Sequence, residues 1–397
     1  MALSVRPLSE DDVPAVTEMS RIAFGTGPRT SASGQRAPAS AAGVDRYGVL
    51  DDGTLLAKVG DRHQDYWYGG SVIPGTGVAG VVVVPEFRGQ GLAQLIVGEA
   101  LRRARDRGAL VAALFRTAPA LYRRLGFEQA GSLTWITFPT GALTRLRVPA
   151  GMTVQPATPA DLPAIAALYR RIAQEGNGMI DRRPPLYDMT APTWPENFDG
   201  VTLATGRGGE VDGYVCWQRG LGWETGTRLT VPELHAVTGD ATTALLAFLG
   251  SWSSVTAEIS VQLPQDDPAL LLMPAPGAQI SSTRPFMIRL LDASAAIRTR
   301  GFPPHCTGSI DLHVADELLP HNAGRFRLSL DSGQGRLVPG GDGGTSLTIG
   351  GLSLLFASAA GPAVLRRAGF LSGGSTTGDQ LLQSAFSGPR PTIADFF

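Results

Sequence analysis

The chain has 397 residues, 43% of them hydrophobic and 17% charged, and a formal net charge of −1. That length holds two or three domains with sizeable cores, and the composition excludes a disordered chain. The near-neutral balance argues against nucleic acid or an anionic membrane as partner. The first six residues lack the apolar core of a signal peptide, and no stretch approaches the ~18 apolar residues of a membrane span, so a cytoplasmic protein is expected.

Leu3, Ser4 and Val5 read as a strand that enters a helix, with Ser9 as N-cap and Asp12 in the first turn. The same pattern returns 149 residues later, where Met152, Thr153 and Val154 precede Thr158 and Asp161. Two such starts imply a tandem pair of domains. Phe24, at the end of the first helix, is either a pocket wall or core. Residues 25–44 form a loop rich in Gly, Ser and Ala with no acid before Asp45.

Residues 75–80 lead into the β-branched run Val81, Val82, Val83 and Val84, a strand covered on both faces that breaks at Pro85. Arg88, Gly89, Gln90, Gly91, Leu92 and Ala93 then open a helix that stops at Gly108. Glycines and a small alanine leave the N–H groups of the first helical turn uncrowded. A helix start exposes such groups with partial positive charge, which suits a pyrophosphate. This passage resembles the acyl-CoA pyrophosphate loop of GCN5-related N-acetyltransferases, Arg/Gln-x-x-Gly-x-Gly/Ala.

A buried strand over 110–115 and a short helix over 118–125, closed by Gly126, follow; residues 132–138 are expected to complete the sheet. Residues 150–290 reach the corresponding strand–helix junction at 234–241, but Asp240 occupies the place of the pyrophosphate, so this second domain is read as structural. From there the layout becomes α+β: an extended run over 286–293 into a helix, then short strands, an apolar helix through Leu355 and a Gly/Ser-rich stretch. This resembles a sterol carrier protein-like domain. The expected division is a catalytic domain over 1–140, a degenerate second N-acetyltransferase domain over 150–290 and the sterol carrier-like domain over 291–397. Cys216 and Cys306 make neither a disulfide framework nor a metal site, and Cys216 reads as packing. His63, His235, His305, His313 and His321 lack metal spacing and a partner cluster and receive no role, and no Walker loop supports ATP use.

Tandem N-acetyltransferase starts, a sterol carrier-like end and the closing residues Asp395, Phe396 and Phe397 together resemble the enhanced intracellular survival family of bacterial acetyltransferases. The resemblance implies acetyl-CoA as co-substrate, a small-molecule amine as acceptor (aminoglycosides among the options), a homo-hexamer and an active site in the first domain. It implies that strand backbone at Val81 and Val83 holds the pantetheine, that Arg88 to Ala93 hold the pyrophosphate, and that Thr117 joins the coenzyme contacts. Tyr122 is the implied general acid and the α-carboxyl of Phe397 the implied general base, with Phe24 on the acceptor side. The related motif at 364–370 carries Leu365 where the first has Tyr122, which makes the tyrosine the informative difference. Aminoglycoside-modifying relatives carry acids where this chain has Thr26 and Phe396, so a neutral amine is an equal expectation. A lipid- or small-molecule-binding protein with a vestigial transferase, and a protein-amine acetyltransferase, are the alternatives.

Overall fold

The computed structural model describes residues 3–25, 42–220, 227–264, 266–273 and 277–397. β1 (Leu3–Pro7) leads through a 3₁₀ turn into α1 (Val13–Phe24). Then come β2 (Val44–Asp51), β3 (Thr54–His63), the hairpin of β4 (Tyr66–Tyr68) and β5 (Ser71–Ile73), β6 (Gly75–Val83), α2 (Leu92–Asp106), β7 (Val111–Phe115), α3 (Pro119–Arg124) and β8 (Glu128–Pro139). The middle of the chain supplies β9 (Thr153–Pro156), α4 (Leu162–Glu175), β10 (Gly200–Thr205), β11 (Val211–Arg219), β12 (Arg228–Ala236), α5 (Gly239–Gly250), β13 (Glu258–Gln262), α6 (Ala269–Leu272) and β14 (Gln279–Leu290). The rest holds α7 (Ala293–Thr299), β15 (Gly308–Ala315), β16 (Gly324–Asp331), β17 (Gln334–Pro339), β18 (Thr345–Thr348), α8 (Ile349–Phe356), α9 (Pro362–Arg367), β19 (Leu371–Gly373) and α10 (Thr376–Ala385).

Packing divides the chain into two units. One gathers residues 1–131, 176–181 and 285–397; the other gathers 132–175 and 182–284. In the first unit the sheet runs β1-β2-β3-β6-β7, parallel only between β6 and β7. Its two faces are covered differently. Val82 packs with Val16 and Met19 of α1. Val81 and Val83 lie against the cluster of Leu92, Ile96, Val97, Ala100, Leu101 and Ala104 from α2, a spacing that gathers one apolar stripe on the helix. Gly108, at φ +100, ends that helix in the left-handed conformation.

The strand that completes this sheet is not the expected one. Phe286–Leu290 of β14 pairs antiparallel with β7 over Phe115–Val111. Residues 132–138, expected in that place, instead pair with β13 in the second unit, Trp135 opposite Gln262 and Phe138 opposite Ile259. Alternation of apolar residues marks a strand's buried face but not its neighbour, so the exchange leaves no local trace.

The remainder of the first unit is a five-stranded sheet, β17-β16-β15-β18-β19, packed with α8, whose eight residues are all buried. The second unit orders its strands β8-β13-β12-β11-β10-β9, with β12 and β13 parallel over Arg228–Val231 and Glu258–Val261. Both helix entries read as echoes are capping boxes: Asp12 accepts from the Ser9 N–H at 2.7 Å and Asp161 from the Thr158 N–H at 2.8 Å. The Arg6 guanidinium, bidentate on Asp12 at 2.8 Å, holds that carboxyl well below the usual range. Among the described residues no helix is long and apolar enough to cross a membrane.

Candidate active site

The site grows from the way β6 leaves its neighbours. It pairs with β7 at three positions only, Gly75, Thr76 and Gly77. On its other side the ladder to β3 slips register between Lys58 and Gly60, where Gly80 adopts φ +57. A bulge of this kind bends a strand and increases its local twist. Val81 and Val83 follow the bulge, half-buried, on the part of β6 that makes no ladder with β7. Strand backbone in such a position receives an extended chain as if it were one more strand.

A 3₁₀ turn over Pro85–Phe87 joins this strand to α2. Arg88, Gly89, Gln90 and Gly91 are exposed; Gly89 (φ +79) and Gly91 (φ +81) are left-handed, with open space where a Cβ would stand. Gly91 is the N-cap of α2, and no side chain caps the helix. Leu92 buries its side chain in the core and the small Ala93 is half-buried, so the turn presents main chain outward. Uncapped N–H groups, room for atoms against them and the positive end of a 15-residue helix fit a pyrophosphate. The equivalent junction of the second unit does not. Thr238 Oγ1 accepts from the Ala241 N–H at 3.1 Å, closing the start of α5, and Asp240 adds like charge in its first turn.

Two residues past β7, Thr117 is exposed and hydrogen-bonded with the phenol of Tyr122. Tyr122 lies on α3 with 4% of its surface exposed, its ring edge-on to Phe127 at 6.2 Å. Burial raises its pKa, and the Thr117 bond opposes part of that rise. The end of α3 is held from below by Arg289 of β14, which donates to the Leu125 carbonyl and, at 2.6 and 2.7 Å, to Asp316. That ion pair is wholly buried.

Phe397 packs beside β6 and β7. The Phe397 ring stands 5.4 Å from the ring of Phe115, the last residue of β7, and the Phe396 ring 4.8 Å from it. A Cβ on Gly77 would lie 2.8 Å from the Phe397 ring, so only glycine leaves that space. Gly77 is the last residue of β6 paired with β7. The terminal residue therefore stands where the two strands part, and the Arg62 guanidinium lies 5.9 Å from its ring centroid.

Val81, Val83, the 88–93 turn and Phe397 are thus gathered around β6, with Thr117 and Tyr122 following β7. Phe24 ends α1 with 58% of its surface exposed, so the core reading of it is wrong. Thr26 and most of the 25–44 loop lie outside the described residues. Sequence reasoning passed over Lys58, the chain's one lysine, which is buried beside the bulge and reaches the Gly80 carbonyl at 3.5 Å. Burial first, and the charge of Arg46 second, push its pKa down to about 8.

The histidines also need one correction. His63 does have acidic partners: β2–β3 register sets Asp45 opposite Asp61, and His63 Nε2 lies 2.9 Å from Asp45 Oδ2. Residues 16 and 18 positions apart meet only through strand pairing, which spacing does not reveal. Asp61 is already engaged by Arg107 at 2.7 Å and by Thr76. In the sterol carrier-like part, the apolar helix α8 is core rather than an open lining. The cavity between Leu355, Leu382 and Phe386 holds about 200 Å³, below the roughly 300–1,000 Å³ of common ligand pockets.

Comparison with known proteins bears on the fold and its domains. Family models described as acetyltransferase (GNAT) domains match residues 4–130 and 178–290, and one described as a sterol carrier protein domain matches 293–394. The N-acetyltransferase Eis of Mycobacterium tuberculosis is 28% identical over 290 residues, 68% of this chain and 66% of that protein. The chain belongs to the GCN5-related N-acetyltransferases and is similar to Eis. The enzymes of this family use acetyl-CoA as co-substrate. An uncharacterised N-acetyltransferase of Streptomyces coelicolor is 29% identical over 281 residues, and the match spans 66% of each chain. The crystal structure of a GCN5-related N-acetyltransferase from Kribbella flavida is 28% identical with a TM-score of 0.85, covering 100% of this chain and 98% of that one. Against this Eis-like background the uncapped α2 and the capped α5 distinguish the two acetyltransferase domains.

Proposed function

We propose that the protein transfers the acetyl group of acetyl-CoA to the nitrogen of a small-molecule amine, in a single site built on its first acetyltransferase domain. What supports this reading is an uncapped helix start after β6, with a buried phenol on the helix after β7 and the Phe397 ring packed beside Gly77 and Phe115 of the same two strands. The amine lone pair attacks the thioester carbonyl, an oxyanion forms, and the C–S bond breaks as the carbonyl reforms. The coenzyme thiolate takes a proton from the Tyr122 phenol, and the nitrogen gives one to the α-carboxylate of Phe397, directly or through water. The phenol, its pKa raised by burial, is protonated at neutral pH and gives up its proton as the C–S bond breaks.

Residues 1–140 form the catalytic domain in this reading, 150–290 a structural second domain and 291–397 the sterol carrier-like domain that delivers the terminus. Aminoglycosides remain among the acceptors, and a homo-hexamer is the assembly the resemblance implies. The test is thiol release from acetyl-CoA with an aminoglycoside, a polyamine, an arylalkylamine and a peptide amine, the products identified by mass spectrometry. Acetylation of at least one amine, slowed about 10²–10⁴-fold by Tyr122→Phe, is the expected outcome. Silence across the panel, or an unimpaired Tyr122→Phe, contradicts it.

A further inference from the structure

Asn177 is 2% exposed and lies in a six-residue segment, 176–181, that packs in the first unit although its neighbours in sequence pack in the second. It bonds three separate pieces of that unit. Its side-chain oxygen accepts from the Gly69 N–H at 2.9 Å, in the β4–β5 turn. Its side-chain nitrogen donates to the Pro389 carbonyl at 2.9 Å and to Ser358 Oγ at 3.2 Å. Its main-chain carbonyl accepts from the Thr392 N–H at 2.8 Å.

The rest of the segment acts as a strip between the hairpin and the tail. Gly178 N–H donates to the Trp67 carbonyl at 2.7 Å, and Trp67 N–H to the Met179 carbonyl at 2.8 Å. On the other side Asn177 bridges Pro391. Gly178, at φ +87, brings Thr392 backbone to within 3.1 Å of where a Cβ would stand, so the tail is seated against bare main chain. Ile393, fully buried, pins the next residue.

We propose that Asn177 is a positioning residue: through Pro389 and Thr392 it sets the register of the tail and thereby the place of the Phe397 carboxylate. This rests on the reading of that carboxylate as the base. Phe397 lies five positions beyond Thr392, and an extended chain advances about 3.3 Å per residue. A slip of one residue at the clamp therefore exceeds the tolerance of a proton transfer, which needs heavy atoms about 2.6–3.2 Å apart.

The test uses full-length protein, acetyl-CoA and the fastest amine of the panel above. Asn177→Ala is compared with Asn177→Asp, which keeps the acceptor for Gly69 and loses both donors. Each is made alone and in a protein extended by four residues after Phe397. The expected result is a kcat lowered about 10–100-fold in both substitutions, with a displaced acid limb in its pH profile and an acetyl-CoA KM within twofold of the parent. In the extended protein, already slowed, neither substitution slows turnover further. An unchanged kcat and pH profile in Asn177→Asp, or a loss that multiplies with that of the extension, overturns the inference while leaving the base intact. Full activity in the extended protein with Asn177 unaltered removes the base, and the inference with it.

Discussion

At the scale of single residues, the charged group buried beside the β6 bulge, Lys58, sets testable energetics. Lys58 has a folded pKa near 8 against an ordinary 10.5. The folded state binds its proton less tightly than the unfolded state, so the group destabilises the protein below pH 8. That penalty fades as pH rises from about 8 to 10.5. Its size at neutral pH is roughly 3 kcal/mol. Lys58→Met should therefore raise the melting temperature at pH 7 and flatten the gain in stability between pH 8 and 10; an unchanged or lowered melting temperature at pH 7 contradicts the assignment. Tyr122 stands out as a candidate in the sequence because Leu365 occupies the same place in a near-copy of its motif. Lys58 was not, because burial beside a bulge is a property of strand register.

Elements explain why only one of two related helices suits a coenzyme. α2 begins at a left-handed Gly91 with no side-chain cap, whereas Thr238 caps α5. Gly91→Val would force a β-branched residue to φ +81, strained by about 1–2 kcal/mol, and fill the open space over the helix start. We expect the acetyl-CoA KM to rise at least tenfold with the fold intact by circular dichroism; an unaltered KM would place the phosphates elsewhere. Helix starts were readable because Ser9–Asp12 and Thr158–Asp161 carry their signals within four residues. The open turn before α2 was readable for the same reason: Gly89 and Gly91 lie two positions apart. The partner of β7 was not, since Phe286 and Phe115 are brought together across 171 positions, 286 minus 115.

Across the whole molecule, chain order and packing diverge. The first unit draws on both ends of the chain and on residues 176–181, so Phe397 reaches Gly77 and Phe115 from the far end of the sequence. Tandem domain starts and the aromatic terminus were legible as patterns. Strand exchange and the Asn177 clamp follow from long-range pairing and had no local signature. The asymmetry between α2 and α5 makes a stoichiometric claim: two acetyltransferase domains, one coenzyme. Titration calorimetry of coenzyme A into the full-length protein measures it directly. One molecule should bind per chain, with the site weakened by Gly91→Val and unaffected by Thr238→Val. Two molecules per chain, or none, would contradict it.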